Sequence, residues 1–128
     1  MSDATGQLAD GEPVYKYAIA AVIANPKAVA DFNNAIEQVK QEGGKIIYGG
    51  GSVTGAGFES GCYVTPCIAE VHNHYQIVQH ETFAPLLYLI KYKTIEEAIE
   101  LQNDVPQGLS SSIFSNNMRE TELFLSHR

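Results

Sequence analysis

The segment Gln79-His80-Glu81-Thr82-Phe83-Ala84-Pro85 carries the residues best suited to chemistry. In an extended chain, residues i and i+2 point the same way, so Glu81 and Phe83 share a face. A carboxylate there can accept two hydrogen bonds from a vicinal diol, and the neighbouring ring can pack on a flat heterocycle. The competing assignment is a partly buried Glu bonded to local backbone amides.

Other groupings are weaker. Cys62, Cys67, His72 and His74 form C-x4-C followed by H-x-H, which is not a usual zinc spacing. Ordinary surface histidines and no metal site are expected. A nucleophilic thiol needs an adjacent base or oxyanion donor, and nothing places one beside Cys62 or Cys67. Drawn out, residues 62–67 span ~17 Å at ~3.3 Å per residue, too far for a disulfide. Two free thiols of a reducing compartment are expected. The run Gly49-Gly50-Gly51-Ser52-Val53-Thr54-Gly55-Ala56-Gly57 follows a strand pattern and invites a dinucleotide reading. A phosphate cradle, however, must lead straight into a helix N-terminus. This run leads into the extended pattern Cys62-Tyr63-Val64, Ser60 stands at the third glycine position, and no Gly-Lys-Ser/Thr occurs. A plain flexible connection is expected.

The elements that must position Glu81 and Phe83 follow from periodicity. Asn25-Pro26 opens a helix, with Asn as N-cap and Pro in the first turn. Val29, Phe32, Ile36 and Val39 recur at helical spacing, and Gly43-Gly44 ends the helix through a left-handed cap. Lys45-Ile46-Ile47-Tyr48 reads as a strand, and residues 63–71 as an extended segment broken by Pro66. Residues 86–92 are continuously apolar through Ile90, the mark of a strand buried on both faces. Thr94 and Glu97 form a capping box for the next helix, and Pro106 stops it. Residues 108–114 read as a further strand, and Ser115 caps a last helix. Strands alternating with helices give an α/β class with a mostly parallel sheet flanked by helices.

Length and composition set outer bounds. The chain has 128 residues, 45% of them hydrophobic and 18% charged, within the globular range and the size of one domain. A net charge of −7 argues against nucleic acid as a partner, because phosphate binding needs clustered Lys and Arg. No apolar run approaches the roughly 20 residues that cross a bilayer, so no membrane partner is expected. Residues 1–24 read as a flexible lead-in followed by a short apolar segment, strand or helix. Met1-Ser2-Asp3-Ala4 lacks a basic leader, so a cytoplasmic location is expected.

One resemblance covers most of the chain. The stretch QHETFAPLLYLIKYKTIEEAIELQNDVPQGLSSSIFS resembles the C-terminal part of the catalytic domain of NAD-dependent aldehyde dehydrogenases. The pattern is Glu81-x-Phe83-small-Pro85, then strand, helix and a Gly108-Leu109-Ser110 strand. ETFAP with QGLSSSIF, together with the upstream AVADFNNAIEQVKQEGGKIIYGG, is most similar to the antiquitin (α-aminoadipic semialdehyde dehydrogenase) branch. The likeness runs from about residue 27 to residue 125, and residues 25–128 are expected to form part of that catalytic domain. It implies that Glu81 binds the hydroxyls of the nicotinamide ribose of NAD and that Phe83 lies against the nicotinamide. It also implies that the catalytic Cys, the general-base Glu, the oxyanion Asn and the dinucleotide-binding domain belong to segments before the matched region. No catalytic residue is therefore assigned here, and the chain alone is expected to be inactive. The parent would act on an aldehyde and be mitochondrial or cytoplasmic. The alternative expectation is a non-catalytic product that associates with like, full-length subunits.

Overall fold

A computed structural model describes residues 21–126 of the chain. Residues 1–20, including the expected lead-in, lie outside the described residues. The elements are β1 (Ala21–Val22), α1 (Pro26–Gln41), β2 (Lys45–Gly49), β3 (Tyr63–Val64), β4 (Cys67–Glu70), β5 (Leu86–Leu89), α2 (Ile95–Asn103) and α3 (Met118–Leu125).

Helix α1 forms as its signals require. Asn25 is extended, and its Oδ1 accepts the Ala28 N–H at 2.9 Å, satisfying one of the helix's orphan donors. The face it buries is Val29, Phe32, Ala35, Ile36 and Val39. At the other end Gly43, at φ +93, turns the chain out of the helix, and the Gly44 N–H donates to Val39 O at 2.7 Å.

That apolar face packs on a three-stranded sheet of order β2-β4-β5. Ile46 faces Ala69 and Ala69 faces Tyr88, so these share the covered side. Ala69 is fully buried, and its small side chain leaves room for the Tyr88 ring. A bulge between Ile46 and Tyr48 shifts the register of β2. β1 and β3 make a separate antiparallel pair.

The α/β class holds, with sheet pairing that is mixed rather than mostly parallel. β4–β5 is the parallel ladder, while β2–β4 and β1–β3 are antiparallel. β5 is also shorter and less buried than a doubly covered strand. It ends at Leu89, and Leu87 and Leu89 stay 55% and 43% exposed because α1 covers only the opposite face. The strand expected at 108–114 does not form. Leu109 and Phe114 stand in solvent, with no neighbouring strand among the described residues to complete a ladder. Helix α2 has the expected Thr94 cap, with the Glu97 N–H donating to Thr94 Oγ1, but Glu97 Oε2 accepts from the Lys93 N–H rather than from the cap residue. Helix α3 is capped by Asn117, not Ser115. The Ser115 hydroxyl instead accepts from the Asn117 N–H and donates to Glu120 at 2.6 Å. No helix of the described residues is long and apolar enough to cross a membrane.

Candidate functional site

Parallel strands force a crossover, because the chain must travel back along the sheet before the second strand begins. Between β4 and β5 that return is residues 71–85, a run of turns rather than a helix. Tyr75, Val78, Gln79 and His80 each donate an N–H to a carbonyl three or four residues back. Two side chains pin the run to the rest of the fold. Glu42, the C-cap residue of α1, accepts the Ile77 N–H at 3.3 Å, and buried Asn73 donates to Asp104 at 2.9 Å. The run delivers Glu81, Thr82 and Phe83 to the end of the sheet where Cys67 and Leu86 pair. The Ala84 N–H donates to Thr82 O and the Leu86 N–H to Ala84 O, two successive three-residue turns centred on Phe83 and Pro85.

The side chains alternate as the sequence implies. Glu81 and Phe83 are exposed, and Thr82 between them is half-buried. Phe83 is 88% exposed, an unusual position for a large apolar ring packed beside a folded core. No hydrogen bond to the Glu81 carboxylate occurs among those described, so the partly buried, amide-bonded alternative is set aside.

Opposite this segment stands α1. The two enclose a groove of about 370 Å³ whose walls include Lys27, Asp31 and Asn34 on the helix side and Glu81, Thr82 and Phe83 on the other. Lys27 and Asp31 pair at 2.7 Å, an exposed i,i+4 contact worth about 0.3–0.5 kcal/mol. Two carboxylates against one ammonium make the groove a poor seat for phosphate and a good one for hydroxyl donors. The helix-side residues are absent from the sequence assignment. Their spacing of four and then three puts residues 27, 31 and 34 on one stripe, but a polar stripe reads as an ordinary solvated face.

The other sequence candidates stand apart from this groove. Residues 50–53 of the glycine segment are laced to β3 and its neighbour. Gly50 donates to Thr65 O, Thr65 to Gly51 O and Val53 to Tyr63 O, and Ser52 bridges Val64. This part is therefore sheet extension rather than flexible connection, and no helix follows it. Both cysteines are free, Cys67 buried and Cys62 half-buried. The His72 and His74 rings stack 5.6 Å apart. A larger open cleft, about 1020 Å³, lies between α2, residues 112–116 and α3, lined by Tyr92, Ile95, Ile99 and Phe124 among others. Its one acid, Glu120, is engaged by Ser115 and Asn117.

Two buried groups give the fold a pH dependence. Burial pushes the Cys67 thiol up, against the Lys40 charge, and burial pushes the Tyr88 phenol up more strongly than Thr82 draws it down. Both hold protons in the folded chain that the unfolded chain releases more readily. Their contribution is complete below the unfolded thiol value, about 8.5, and is lost as pH rises through the folded values. The urea midpoint is expected to fall above about pH 9 and to fall less in Tyr88→Phe. An equal fall in both proteins would exclude Tyr88 as a contributor.

The aldehyde dehydrogenase family model matches residues 1–127. The chain belongs to the aldehyde dehydrogenase family. The match is wider than the motif resemblance at 27–125 and takes in the first 24 residues. Among aldehyde dehydrogenases, the chain is 40% identical over 111 residues to aldehyde dehydrogenase family 7 member A1 of Brassica napus, covering 87% of this chain and 22% of that protein. It is 39% identical over 120 residues to the alpha-aminoadipic semialdehyde dehydrogenase of Rattus norvegicus, covering 92% and 21%. The fold superposes on the indole-3-acetaldehyde dehydrogenase of P. syringae in complex with NAD+ and IAA, with TM-score 0.74, 28% identity and coverage of 80% of this chain and 21% of that one. The lactaldehyde dehydrogenase of Escherichia coli gives TM-score 0.74 at 29% identity, covering 82% and 21%. The chain thus spans about a fifth of the length of these aldehyde dehydrogenases.

Proposed function

We propose that this chain supplies the nicotinamide-ribose side of an NAD-dependent aldehyde dehydrogenase site, and that the parent reaction oxidises α-aminoadipic semialdehyde to the acid. The observation that carries the proposal is the pair Glu81 and Phe83, both turned outward into the groove against α1. NAD, when bound, supplies the hydride acceptor. The residues here suit its nicotinamide riboside half. Glu81 offers acceptor-only oxygens for a vicinal diol, and the exposed Phe83 ring offers a flat apolar surface. The acidic lining does not suit the pyrophosphate. Two relatives named alpha-aminoadipic semialdehyde dehydrogenase, 38–39% identical, support the choice of aldehyde.

The 128 residues alone are proposed not to turn aldehyde over. Cys67 is 1% exposed and its thiol is held protonated by burial. The Cys62 thiol donates to Ser60 O at 3.6 Å, and no described hydrogen bond joins it to a base. Incubation of the purified chain with NAD+ and a panel of aldehydes is expected to give no NADH above the chain-free rate. A rate that disappears in Cys62→Ala or Cys67→Ala would overturn this.

A second reading, association with like subunits, is favoured by the exposed apolar side chains Leu87, Leu89, Leu109, Phe114 and Met118. Light scattering of the chain, alone and mixed with a full-length aldehyde dehydrogenase of the antiquitin type, tests it. A single monomeric mass throughout would rule it out.

A further inference from the structure

On its β5 side the 81–83 segment is held by the turns at 82–86. On its other side stands Asn73, the one buried polar side chain among the described residues, 7% exposed. Asn73 bonds in two directions. Its Nδ2 donates to Asp104 Oδ2 at 2.9 Å, and its main-chain O accepts from Gln79 Nε2 at 2.9 Å. A carboxylate only accepts, so the Asn73 amide nitrogen is the atom that must face Asp104. Asp104 is itself fixed as the C-cap residue of α2, its N–H donating to Glu100 O. Residues 73–79 thus form a closed loop, with the Val78 and Gln79 N–H groups both on Tyr75 O. Only His80 separates this loop from Glu81. Packing does not set the distance between loop and α2. A cavity of about 360 Å³ lies there, lined by Asn73, Val78, Tyr88, Leu101 and Val105 among others. The Asn73–Asp104 bond spans that gap.

We propose that Asn73 is a positioning residue: through Asp104 and Gln79 it ties the crossover to the end of α2 and so fixes where Glu81 and Phe83 enter the groove. The ligand assigned to that pair rests on the reading above, whereas the positioning stands on the hydrogen bonds. Asn73→Asp removes the donor and sets two carboxylates against each other. Adding Asp104→Asn restores a donor and an acceptor with the direction reversed. Gln79→Met keeps side-chain length and breaks only the last link.

The test is backbone 15N relaxation on the whole chain, with an NAD+ titration alongside. In the unaltered chain the order parameters of the Glu81 and Phe83 amides are expected near the rigid value of about 0.85, falling below about 0.6 in Asn73→Asp and in Gln79→Met while α1 and β4 stay rigid. The double variant Asn73→Asp with Asp104→Asn is expected to restore them. With the competent aim held about a fifth of the time, the NAD+ midpoint rises about fivefold in Gln79→Met. Order unchanged in Gln79→Met, or a folded double variant as mobile as Asn73→Asp, would overturn the proposal. Where Asn73→Asp fails to fold, Gln79→Met decides alone. If order falls in Gln79→Met but NAD+ moves neither Glu81 nor Phe83 in the unaltered chain, the positioning is upheld and the ribose assignment alone fails.

Discussion

Gly49→Ala is expected to destabilise the chain by about 3–5 kcal/mol, the range of diagnostic backbone and overpacking defects. Two costs combine. Gly49 sits at φ +65, where a residue with a Cβ is strained by about 1–2 kcal/mol. The added methyl would also lie 1.8 Å from Pro66 O and 3.0 Å from Pro66 C, both backbone atoms. Gly49 pairs with Cys67 at the end of the β2–β4 ladder, so relief requires those strands to part. The defect would then reach Leu86, which pairs with Cys67 on its other side, at the strand end where the 81–85 segment arrives. Gly51→Ala is the control. Gly51 also has positive φ, +108, but its Cβ would meet nothing within 4 Å. Urea unfolding of the two variants measures the difference, and equal losses would show that the Pro66 carbonyl does not constrain β2.

Phe32→Ala is expected to cost about 3–5 kcal/mol, through lost transfer energy and the cavity left behind. Phe32 is fully buried in a cluster with Ile23, Val29, Ile36, Val64 and Cys67, so its ring joins α1 to both small sheets. Because α1 also forms one wall of the groove, ligand response at Glu81 is expected to fall with stability in this variant. Phe32→Leu keeps most of the volume and is expected to cost about 1.5 kcal/mol or less. Thermal unfolding of the two proteins checks the order, and Phe32→Ala as stable as Phe32→Leu would contradict it.

The parts of this fold that the sequence makes legible are those whose packing partner lies among the described residues. The 3.6-residue period of Val29, Phe32, Ile36 and Val39 reports a helix because β2, β4 and β5 are there to cover it. The apolar run from Leu86 gives no such information about faces. It lacks a period, so it looks doubly buried, whereas Leu87 and Leu89 point away from α1 into solvent. The 108–114 segment has strand propensity without a strand beside it, and propensity alone does not form a ladder. Helix α2 is found by its Thr94 cap, whereas α3 begins at an Asn117 cap rather than the expected Ser115, and neither helix has a buried residue. At the site, the i, i+2 rule gives the shared outward face of Glu81 and Phe83, and the role proposed for them comes from the family resemblance. The α1 wall escapes notice because Lys27, Asp31 and Asn34 look like any solvated stripe until the crossover brings Glu81 opposite them.

The central claim, that the groove between α1 and residues 81–83 receives the nicotinamide ribose of NAD, is tested most directly by titrating the 15N-labelled chain with NAD+. Saturable amide shifts are expected at Glu81 and Phe83 and, across the groove, at Lys27, Asp31 and Asn34. Glu81→Gln is expected to weaken the response about tenfold, the loss of roughly 1.4 kcal/mol from charge-assisted bonds to the diol. Shifts confined to the glycine segment at 49–57 or to the cleft at 112–116, or a response unchanged by Glu81→Gln, would contradict it.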